Sequence, residues 1–243
     1  MIDFIGIGAQ KCGTTWLYEH LRRHPDIAFP AGKEVHFWDQ QRHLGSEWWA
    51  GLFPHSDVRI RQGEITPAYA ILDPDTIREI RALCPDAALF ISLRNPMARA
   101  WSSALMALGR AEMTFGEAGD QWFIDHFRSQ GSLRRGNYAA CIDNWTSVYP
   151  VDRLQIIWFD EILAQPQSVL RALAVHIGAE QSYFSSAPIT KLRSPVFAGS
   201  KLPVRATLVK VLRELYLPSI NVLEVRFGRD LTSWKSWSGE EIS

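Results

Sequence analysis

Cysteine, excess charge of one sign and long apolar runs are all scarce in this sequence of 243 residues. Its three cysteines, Cys12, Cys84 and Cys141, are too few and too widely spaced for a disulfide framework or a zinc pattern. Lys plus Arg and Asp plus Glu number 26 each, which argues against a nucleic-acid binder with an extended basic face. No stretch of about 18 residues is apolar enough for a membrane span. We therefore expect a reduced, cytoplasmic protein that binds neither nucleic acid nor membrane, and an oligomer stays open.

What the sequence does contain is a large share of apolar residues, 47%, grouped in short runs. Continuous apolar runs separated by helical segments are typical of a parallel sheet that is covered on both faces. The sequence therefore predicts a single α/β domain over residues 1–243, with a P-loop-like, doubly wound and mainly parallel sheet. Its strands are predicted at residues 4–7, 58–65, 88–93 and 154–159. The second run alternates with polar residues, so we expect an edge or partly exposed strand there.

Helices are predicted between these strands from their capping signals. Thr14 or Thr15 caps a helix to about residue 23, and Asp73 caps one to about residue 83. Asn95 begins another, to about residue 108, and Gly178 ends a helix that starts at residue 166. The tail from 203 to 227 is predicted to be helical with a break at Pro218. Residues 109–135 are placed outside the sheet, as helical cover or a lid.

A phosphate-binding loop is indicated between the first strand and the first helix. Backbone N–H groups and a helix N-terminus converge there, which favours an anion. A kinase or NTPase loop has a lysine directly after its second glycine, where this chain has Thr14, and the cation here is Lys11. From the loop alone, a tight strand–helix turn with a solvated lysine stays open.

The pattern G-x-x-K-x-G-T-T, from Gly8 to Thr15, resembles the 5′-phosphosulfate loop of sulfotransferases that use 3′-phosphoadenosine 5′-phosphosulfate (PAPS). The resemblance implies that Lys11 stabilises the charge that grows on the leaving phosphate oxygen. It also implies that Gly13, Thr14 and Thr15 hold the 5′-phosphate. The further nucleotide contacts it implies in this segment are Gly8, Gln10, Cys12 and Trp16.

A second motif, Arg94-Asn95-Pro96-x-x-Arg99-x-x-Ser102, follows the third predicted strand. An arginine at a strand end and a hydroxyl about two turns into the next helix can surround a phosphate. The motif resembles the 3′-phosphate site of the same family, which assigns that phosphate to Arg94 and Ser102. Arg99 is equally compatible with a plain surface cation.

A third cluster, Lys33-Glu34-Val35-His36-Phe37-Trp38-Asp39, has the groups needed to accept a proton from an acceptor hydroxyl. If the segment is extended, Glu34, His36 and Trp38 point to one face. From spacing alone, a loop of solvated polar groups is the simpler interpretation.

Residues 33–69 resemble the heparan sulfate branch of the family, where K-E-x-H-F-[FW]-D is followed by E-K-T-P-x-Y. The resemblance makes Glu34 the catalytic base and implies that His36 and Asp39 position the acceptor or tune the glutamate. This chain has Ile65 where the branch has a lysine, which counts against a polyanionic acceptor. Trp38, Tyr69 and Trp101 suit an apolar or sugar-like acceptor, although aromatic residues also serve as core.

Weaker similarities extend the resemblance over almost the whole chain. Arg135 and Tyr138 lie in an R-G-x-Y element that stands near the nucleotide in bacterial members. Ser200 and Lys201 fall where the family closes a loop over the 3′-phosphate. They belong to residues 195–243, which the resemblance assigns to a nucleotide-closing loop and C-terminal helices.

The resemblance therefore implies an enzyme that moves a sulfuryl group from PAPS to a hydroxyl or amine of a small-molecule or carbohydrate-like acceptor. The reaction releases 3′,5′-adenosine bisphosphate and needs no metal. Two alternatives stay open: a P-loop nucleotide kinase or NTPase, and a non-catalytic nucleotide-binding protein on the same fold.

Overall fold

The structure, a computed structural model, describes residues 2–54, 57–186, 188, 190, 192 and 202–239. The contacts of the chain divide it into two compact units. Unit 1 comprises Met1–Leu93 and Ile142–Phe197, and unit 2 comprises Arg94–Cys141 and Ala198–Ser243. Within the described ranges no helix is long and apolar enough to cross a membrane. The same residues contain no group of three or more His, Cys, Asp or Glu side chains that could hold a metal ion.

Unit 1 is built on a five-stranded sheet in which every strand pair is parallel. The strands lie in the order β2-β3-β1-β4-β5. After β1, the chain places β2 and β3 on one side of it and then β4 and β5 on the other. The strand order therefore reverses beside β1, which is where doubly wound sheets bind their ligands. The predicted fold class is therefore confirmed. The strands are β1 Phe4–Gly8, β2 Ile27–Ala28, β3 Arg61–Ile65, β4 Ala88–Leu93 and β5 Leu154–Trp158.

The second predicted strand is shorter and more central than the sequence suggested. It begins at Arg61 rather than at residue 58, and it lies between β2 and β1 instead of at an edge. Two of its polar side chains donate within the fold: the Gln62 amide nitrogen to the carbonyl of Pro54 at 2.7 Å, and Arg61 Nε to the carbonyl of Gly178 at 3.1 Å. The edge strand on this side of the sheet, β2, has only two residues, too few for a periodic signal.

Helices occupy the connections between strands and make up most of unit 2. In chain order they are α1 Thr14–Leu21, α2 Ser46–Gly51, α3 Pro74–Leu83, α4 Pro96–Arg110, α5 Asp120–Arg128, α6 Gln130–Gly136, α7 Tyr138–Thr146, α8 Phe159–Ala164, α9 Pro166–Ile177, α10 Ser182–Ser185, α11 Ala206–Phe227 and α12 Thr232–Lys235. Short 3-10 turns span Arg42–Leu44, Pro67–Ile71 and Val151–Arg153, and a π-helical turn spans Phe37–Gln41.

Most of the capping signals are confirmed. The Asp73 carboxylate accepts from the N–H of Thr76 and begins α3, the Asn95 side chain accepts from the N–H of Met97 and begins α4, and Gly178 ends α9. The cap of α1 differs, because Gly13 occupies the N-cap position and no side chain caps the helix.

The predicted break at Pro218 is wrong, because α11 continues through this proline. Residues Tyr216 and Ile220 on either side of it are buried, so packing of the helix within unit 2 compensates for the hydrogen bond that proline removes. Within residues 109–135 lie α5 and all but the last residue of α6, and a role of this segment as cover or lid stays a prediction.

Candidate active site

The phosphate loop joins the carboxyl end of β1 to the N-terminus of α1, and two glycines shape it. Gly8 has φ +150° and Gly13 has φ +82°, conformations that L side chains rarely adopt. A Cβ atom on Gly8 would lie 2.9 Å from Cβ of Ala70 and 3.0 Å from the carbonyl oxygen of Pro67. The chain therefore approaches its neighbours too closely at Gly8 for any larger residue.

Hydrogen bonds hold this loop against the end of β4. The N–H of Ala9 donates to the carbonyl of Ser92 at 3.0 Å, and the Ser92 hydroxyl donates to the carbonyl of Cys12 at 2.6 Å. Lys11 itself has φ +67° and a half-buried side chain. The first N–H groups of a helix have no partner within the helix, so α1 directs donors and a partial positive charge towards this loop. This arrangement is suited to binding a phosphate or sulfate group.

The remaining predicted loop residues serve partly as packing. Cys12 is fully buried, Thr14 is nearly so, and Gln10 is half-buried. The Trp16 indole donates to the carbonyl of Leu192 at 2.8 Å within unit 1. Contact of their side chains with a nucleotide stays a prediction.

The Glu34, His36 and Asp39 side chains form a chain of close polar contacts. His36 Nε2 lies 3.0 Å from Glu34 Oε2, and His36 Nδ1 lies 3.0 Å from Asp39 Oδ2. About 30% of the Glu34 side chain and 28% of the His36 side chain are exposed, so both are accessible from solvent. The imidazole thus lies between two carboxylates, an arrangement that can orient Glu34 and take up a proton from it.

Lys33 is a functional candidate that the sequence analysis did not single out. Its Nζ lies 2.8 Å from Glu34 Oε1 and donates to Thr15 Oγ1 at 3.3 Å. The lysine therefore connects the second residue of α1 to the carboxylate of Glu34. Lys33 and Thr15 are 18 positions apart, and no periodicity in the sequence brings the two together, so the sequence did not predict this contact.

The segment that carries Glu34 is not extended. His36 has φ +55°, and the π-helical turn Phe37–Gln41 follows it directly. The condition under which Trp38 would share a face with Glu34 and His36 is therefore not met. Trp38 is 3% exposed and packs edge-on against Phe37 and Trp49.

Beneath this segment lies Glu64, a carboxylate with no exposed surface at the end of β3. It accepts hydrogen bonds from the Trp49 indole at 2.7 Å, the Thr66 hydroxyl at 2.6 Å and, more weakly, the Tyr69 hydroxyl at 3.4 Å. Burial raises the pKa of Glu64 to about 7, and the three hydrogen bonds and the nearby His36 oppose that rise.

The raised pKa of Glu64 predicts a loss of stability as the pH rises. The folded protein retains this proton between about pH 4.5 and 7, where the unfolded chain has already released it, so ionisation above about pH 7 opposes folding by up to roughly 3 kcal/mol. Glu64→Gln, which cannot ionise, should match the wild type near pH 5 and be the more stable protein near pH 8. Denaturant unfolding at both pH values measures the difference, and an equal difference at the two would contradict the raised pKa.

In unit 2, Arg94 and Ser102 lie where the sequence predicted, before and within α4. Both side chains are half-buried, and the Arg94 carbonyl accepts from the Tyr138 hydroxyl at 2.9 Å. Arg99 is no surface cation: it is fully buried, and its Nη2 donates to Oγ and the carbonyl of Ser132 at 3.0 Å each. Its place is therefore in the packing of unit 2.

The aromatic residues predicted to contact an acceptor are buried. Tyr69 has no exposed surface and its hydroxyl accepts from the N–H of Phe37 at 3.0 Å. Trp101 is 2% exposed, and its indole donates to Leu202 within unit 2. With Trp38 also buried, the structure favours packing roles for all three, and acceptor contact stays a prediction.

Two weaker predictions concern unit 2. Arg135 Nη1 donates to the carbonyl of Gly131 at 3.0 Å, and Tyr138 is fully buried, so a nucleotide role for either stays a prediction. Ser200 and Lys201 lie outside the described residues.

In unit 1, Ile65 is fully buried and packs in the hydrophobic core with Phe90.

Comparison with known proteins gives a consistent family. A family model of the sulfotransferase domain matches residues 2–194. A sulfotransferase structure from Alicyclobacillus acidocaldarius is 26% identical, has a TM-score of 0.74, and is matched over 97% of this chain and 99% of its own. A sulfotransferase domain from the curacin biosynthetic pathway has a TM-score of 0.57 at 12% identity, over 95% of this chain and 99% of that one, which supports the fold alone.

Curated relatives are longer than this chain. Heparan sulfate glucosamine 3-O-sulfotransferase 6 of Mus musculus is 30% identical over 172 residues, which are 66% of this chain and 47% of the relative. Heparan sulfate glucosamine 3-O-sulfotransferase 3A1 of Mus musculus is 28% identical over 186 residues, 72% of this chain and 45% of the relative. The chain thus spans about half the length of the curated relatives it matches.

Proposed function

The chain belongs to the sulfotransferase family, and from this premise we propose that it transfers a sulfuryl group from PAPS to a hydroxyl or amine of a small-molecule or carbohydrate-like acceptor. The observation that carries the proposal is the pairing, within unit 1, of a glycine-shaped anion loop with an accessible carboxylate–imidazole–carboxylate chain, joined by Lys33. The loop supplies positive charge for a phosphosulfate, and the three side chains Glu34, His36 and Asp39 supply a base for the acceptor.

On the donor side, Lys11 and the first N–H groups of α1 bind the 5′-phosphate. Their positive charge is already in place before transfer, so it stabilises the negative charge that develops on the leaving phosphate oxygen. Gly13, Thr14 and Thr15 complete this cradle. Arg94 and Ser102 bind the 3′-phosphate, with Arg94 supplying charge-assisted hydrogen bonds.

On the acceptor side, Glu34 removes the proton from the attacking hydroxyl or amine. The new bond joins the acceptor oxygen or nitrogen to sulfur, the bond between sulfur and the phosphate oxygen breaks, and that oxygen leaves with the electron pair as part of 3′,5′-adenosine bisphosphate. His36 receives or shares the proton from Glu34 through its 3.0 Å contact, and Asp39 orients the imidazole through the other nitrogen. The charge balance needs no metal ion.

Lys33 provides a cation between the phosphate loop and the Glu34 carboxylate. Only 11% of its side chain is exposed, and its Nζ has both Thr15 Oγ1 and Glu34 Oε1 within reach. A cation at this position offsets the repulsion between the Glu34 carboxylate and an anionic sulfuryl group, which would otherwise oppose their approach.

The acceptor class follows from charge. The curated relatives are named for sulfation of heparan sulfate glucosamine, which supports a sugar hydroxyl as one target. The buried Ile65 supplies no cation for a polyanion, and the chain has no net charge at pH 7. We therefore propose an uncharged or weakly charged acceptor. A panel that pairs each neutral sugar or alcohol with a sulfated counterpart tests this, since faster turnover of the sulfated members would reverse the assignment.

Nucleotide binding separates the proposed function from its two rivals. We expect 3′,5′-adenosine bisphosphate to bind in calorimetry with excess chelator present, and ATP with Mg²⁺ to bind weakly. Preference for ATP with Mg²⁺ would favour a kinase or NTPase. Tight binding of the bisphosphate without turnover of PAPS across a broad acceptor panel would favour a non-catalytic nucleotide-binding protein.

The 3′-phosphate assignment predicts that Arg94→Ala weakens binding of 3′,5′-adenosine bisphosphate by about 1.5–3 kcal/mol, the contribution of a hydrogen bond to a charged group. Ser102→Ala should weaken it less, because it removes a neutral partner. Arg110→Ala, an exposed arginine at the end of the same helix α4, is the control and should bind normally. Wild-type affinity in Arg94→Ala would remove the assignment.

A further inference from the structure

Glu64 is a buried carboxylate that accepts hydrogen bonds from two hydroxyl groups, and those hydroxyls hold the segment of Glu34 and His36. The Thr66 hydroxyl donates to Glu64 Oε2 at 2.6 Å and accepts from the N–H of Val35 at 3.1 Å. The Tyr69 hydroxyl lies 3.4 Å from Glu64 Oε1 and accepts from the N–H groups of Phe37 and Trp38.

The backbone positions held in this way surround the two groups assigned to proton transfer. Val35 lies between Glu34 and His36, and Phe37 follows His36 directly. His36 has φ +55°, a conformation that costs a non-glycine residue free energy and persists only where its surroundings enforce it. Fixing the N–H groups on both sides of His36 is one way to enforce it.

The ionised carboxylate fixes the direction of these hydrogen bonds. A hydroxyl has a single proton, and a carboxylate can only accept, so Thr66 and Tyr69 point their protons at Glu64 and leave their lone pairs for the backbone N–H groups. The Trp49 indole, which can only donate, also needs an acceptor at Oε1. An amide at this position would face Trp49 with its oxygen and Thr66 with its NH₂ group, which removes the acceptor of the Thr66 proton.

Stability alone does not account for this carboxylate. A fully buried charge opposes folding, and replacing one by a neutral group of the same shape is often neutral or stabilising.

We propose that Glu64 is a positioning residue, which fixes the Glu34–His36 segment in its reactive conformation through the hydroxyls of Thr66 and Tyr69. The proposal rests on the proposed function, because it assigns Glu64 to the proton-transfer step of that reaction.

Amide hydrogen exchange tests the structural link without any need for activity. Thr66→Val should accelerate exchange at Val35, and Tyr69→Phe should accelerate it at Phe37 and Trp38, each by about tenfold, the loss of one net hydrogen bond. At pH 8, where Glu64 is mostly ionised, Glu64→Gln should accelerate exchange at all three positions. Unchanged exchange in Glu64→Gln overturns the link, whether or not the protein transfers sulfuryl groups.

Kinetics of the same variants test the functional link. Glu64→Gln should lower kcat by about 10–100-fold, because misplacement of a catalytic group by about 1 Å lowers the rate by that order. KM for PAPS and affinity for 3′,5′-adenosine bisphosphate should change less than threefold. Ile77→Val, which removes a buried methyl group from α3, is the stability control and should keep its kcat.

The decisive signature at pH 8 is a Glu64→Gln protein that unfolds at higher denaturant concentration than the wild type and still turns over more slowly. A purely structural glutamate would lose stability and activity together, and that result overturns the proposal. If wild-type protein turns over no PAPS while the exchange results hold, the failure lies with the proposed function and the structural link stands.

Discussion

Glu34→Gln should lower kcat by about 10²–10⁴-fold and leave the affinity for 3′,5′-adenosine bisphosphate near that of the wild type. Glutamine keeps the size of the side chain and removes its basicity, so the acceptor proton loses its destination. The nucleotide product is an anion, and a neutral side chain near it removes repulsion, so binding has no reason to weaken. Initial-rate kinetics with an active acceptor and calorimetry with the product nucleotide measure the two effects separately.

The geometry of the carboxylate–imidazole–carboxylate chain provides the competing assignment. His36 Nε2 is 3.0 Å from Glu34 and is itself partly exposed, so it could take the proton directly. Glu47→Gln, an exposed carboxylate on α2, is the matched control and should be as active as the wild type. If Glu34→Gln stays within a few-fold of the wild type while His36→Ala is inactive, the base is His36.

Lys11→Ala should damage both chemistry and binding, in contrast to Glu34→Gln. We expect kcat to fall by about 10²–10³-fold, the usual effect of removing one preorganised donor at a developing charge. Affinity for 3′,5′-adenosine bisphosphate should fall about tenfold or more, because the same ammonium group contacts the 5′-phosphate before and after transfer.

The control for this prediction is Lys210→Ala, an exposed lysine on α11. It changes net charge by the same amount and should leave both quantities at wild-type values. If Lys11→Ala reduces nucleotide affinity without reducing kcat, Lys11 binds the ground state and the transition state equally and does not lower the barrier to transfer.

The parts of this protein that the sequence predicted are those encoded locally. The phosphate loop follows from a buried strand, Gly8, Lys11, Gly13 and a helix start within a dozen residues, and the structure has that arrangement at the carboxyl end of β1. The caps at Asp73 and Asn95 were equally predictable, because each side chain bonds a backbone N–H two or three residues ahead.

The parts that the sequence did not predict depend on contacts between distant segments. Lys33 meets Thr15 across 18 positions, and the Thr66 hydroxyl meets the N–H of Val35 across 31. Arg99 was left open as a surface cation because its motif gives no sign of the acceptors around it, which come from α6 and α11. The placing of Trp38 depended on an extended backbone, and the structure has a π-helical turn that starts at Phe37 instead.

At the Glu34–His36 turn the family resemblance predicted more than periodicity did. The K-E-x-H-F pattern marked Glu34 and His36 for proton transfer, although spacing alone favoured a solvated loop. In the structure the two side chains are within hydrogen-bonding distance, with Asp39 on the far side of the imidazole. The motif therefore predicted the proximity of these side chains in a turn, which the alternating pattern of an extended strand could not predict.

The most direct test of the proposed sulfuryl transfer is a single-turnover reaction with PAPS labelled with radioactive sulfur, an acceptor from the panel and excess chelator. We predict that label appears in the acceptor in step with release of an equal amount of 3′,5′-adenosine bisphosphate, and that Glu34→Gln slows both together. Release of the bisphosphate with the label recovered only as inorganic sulfate, or turnover of wild-type protein that requires added Mg²⁺, would contradict it.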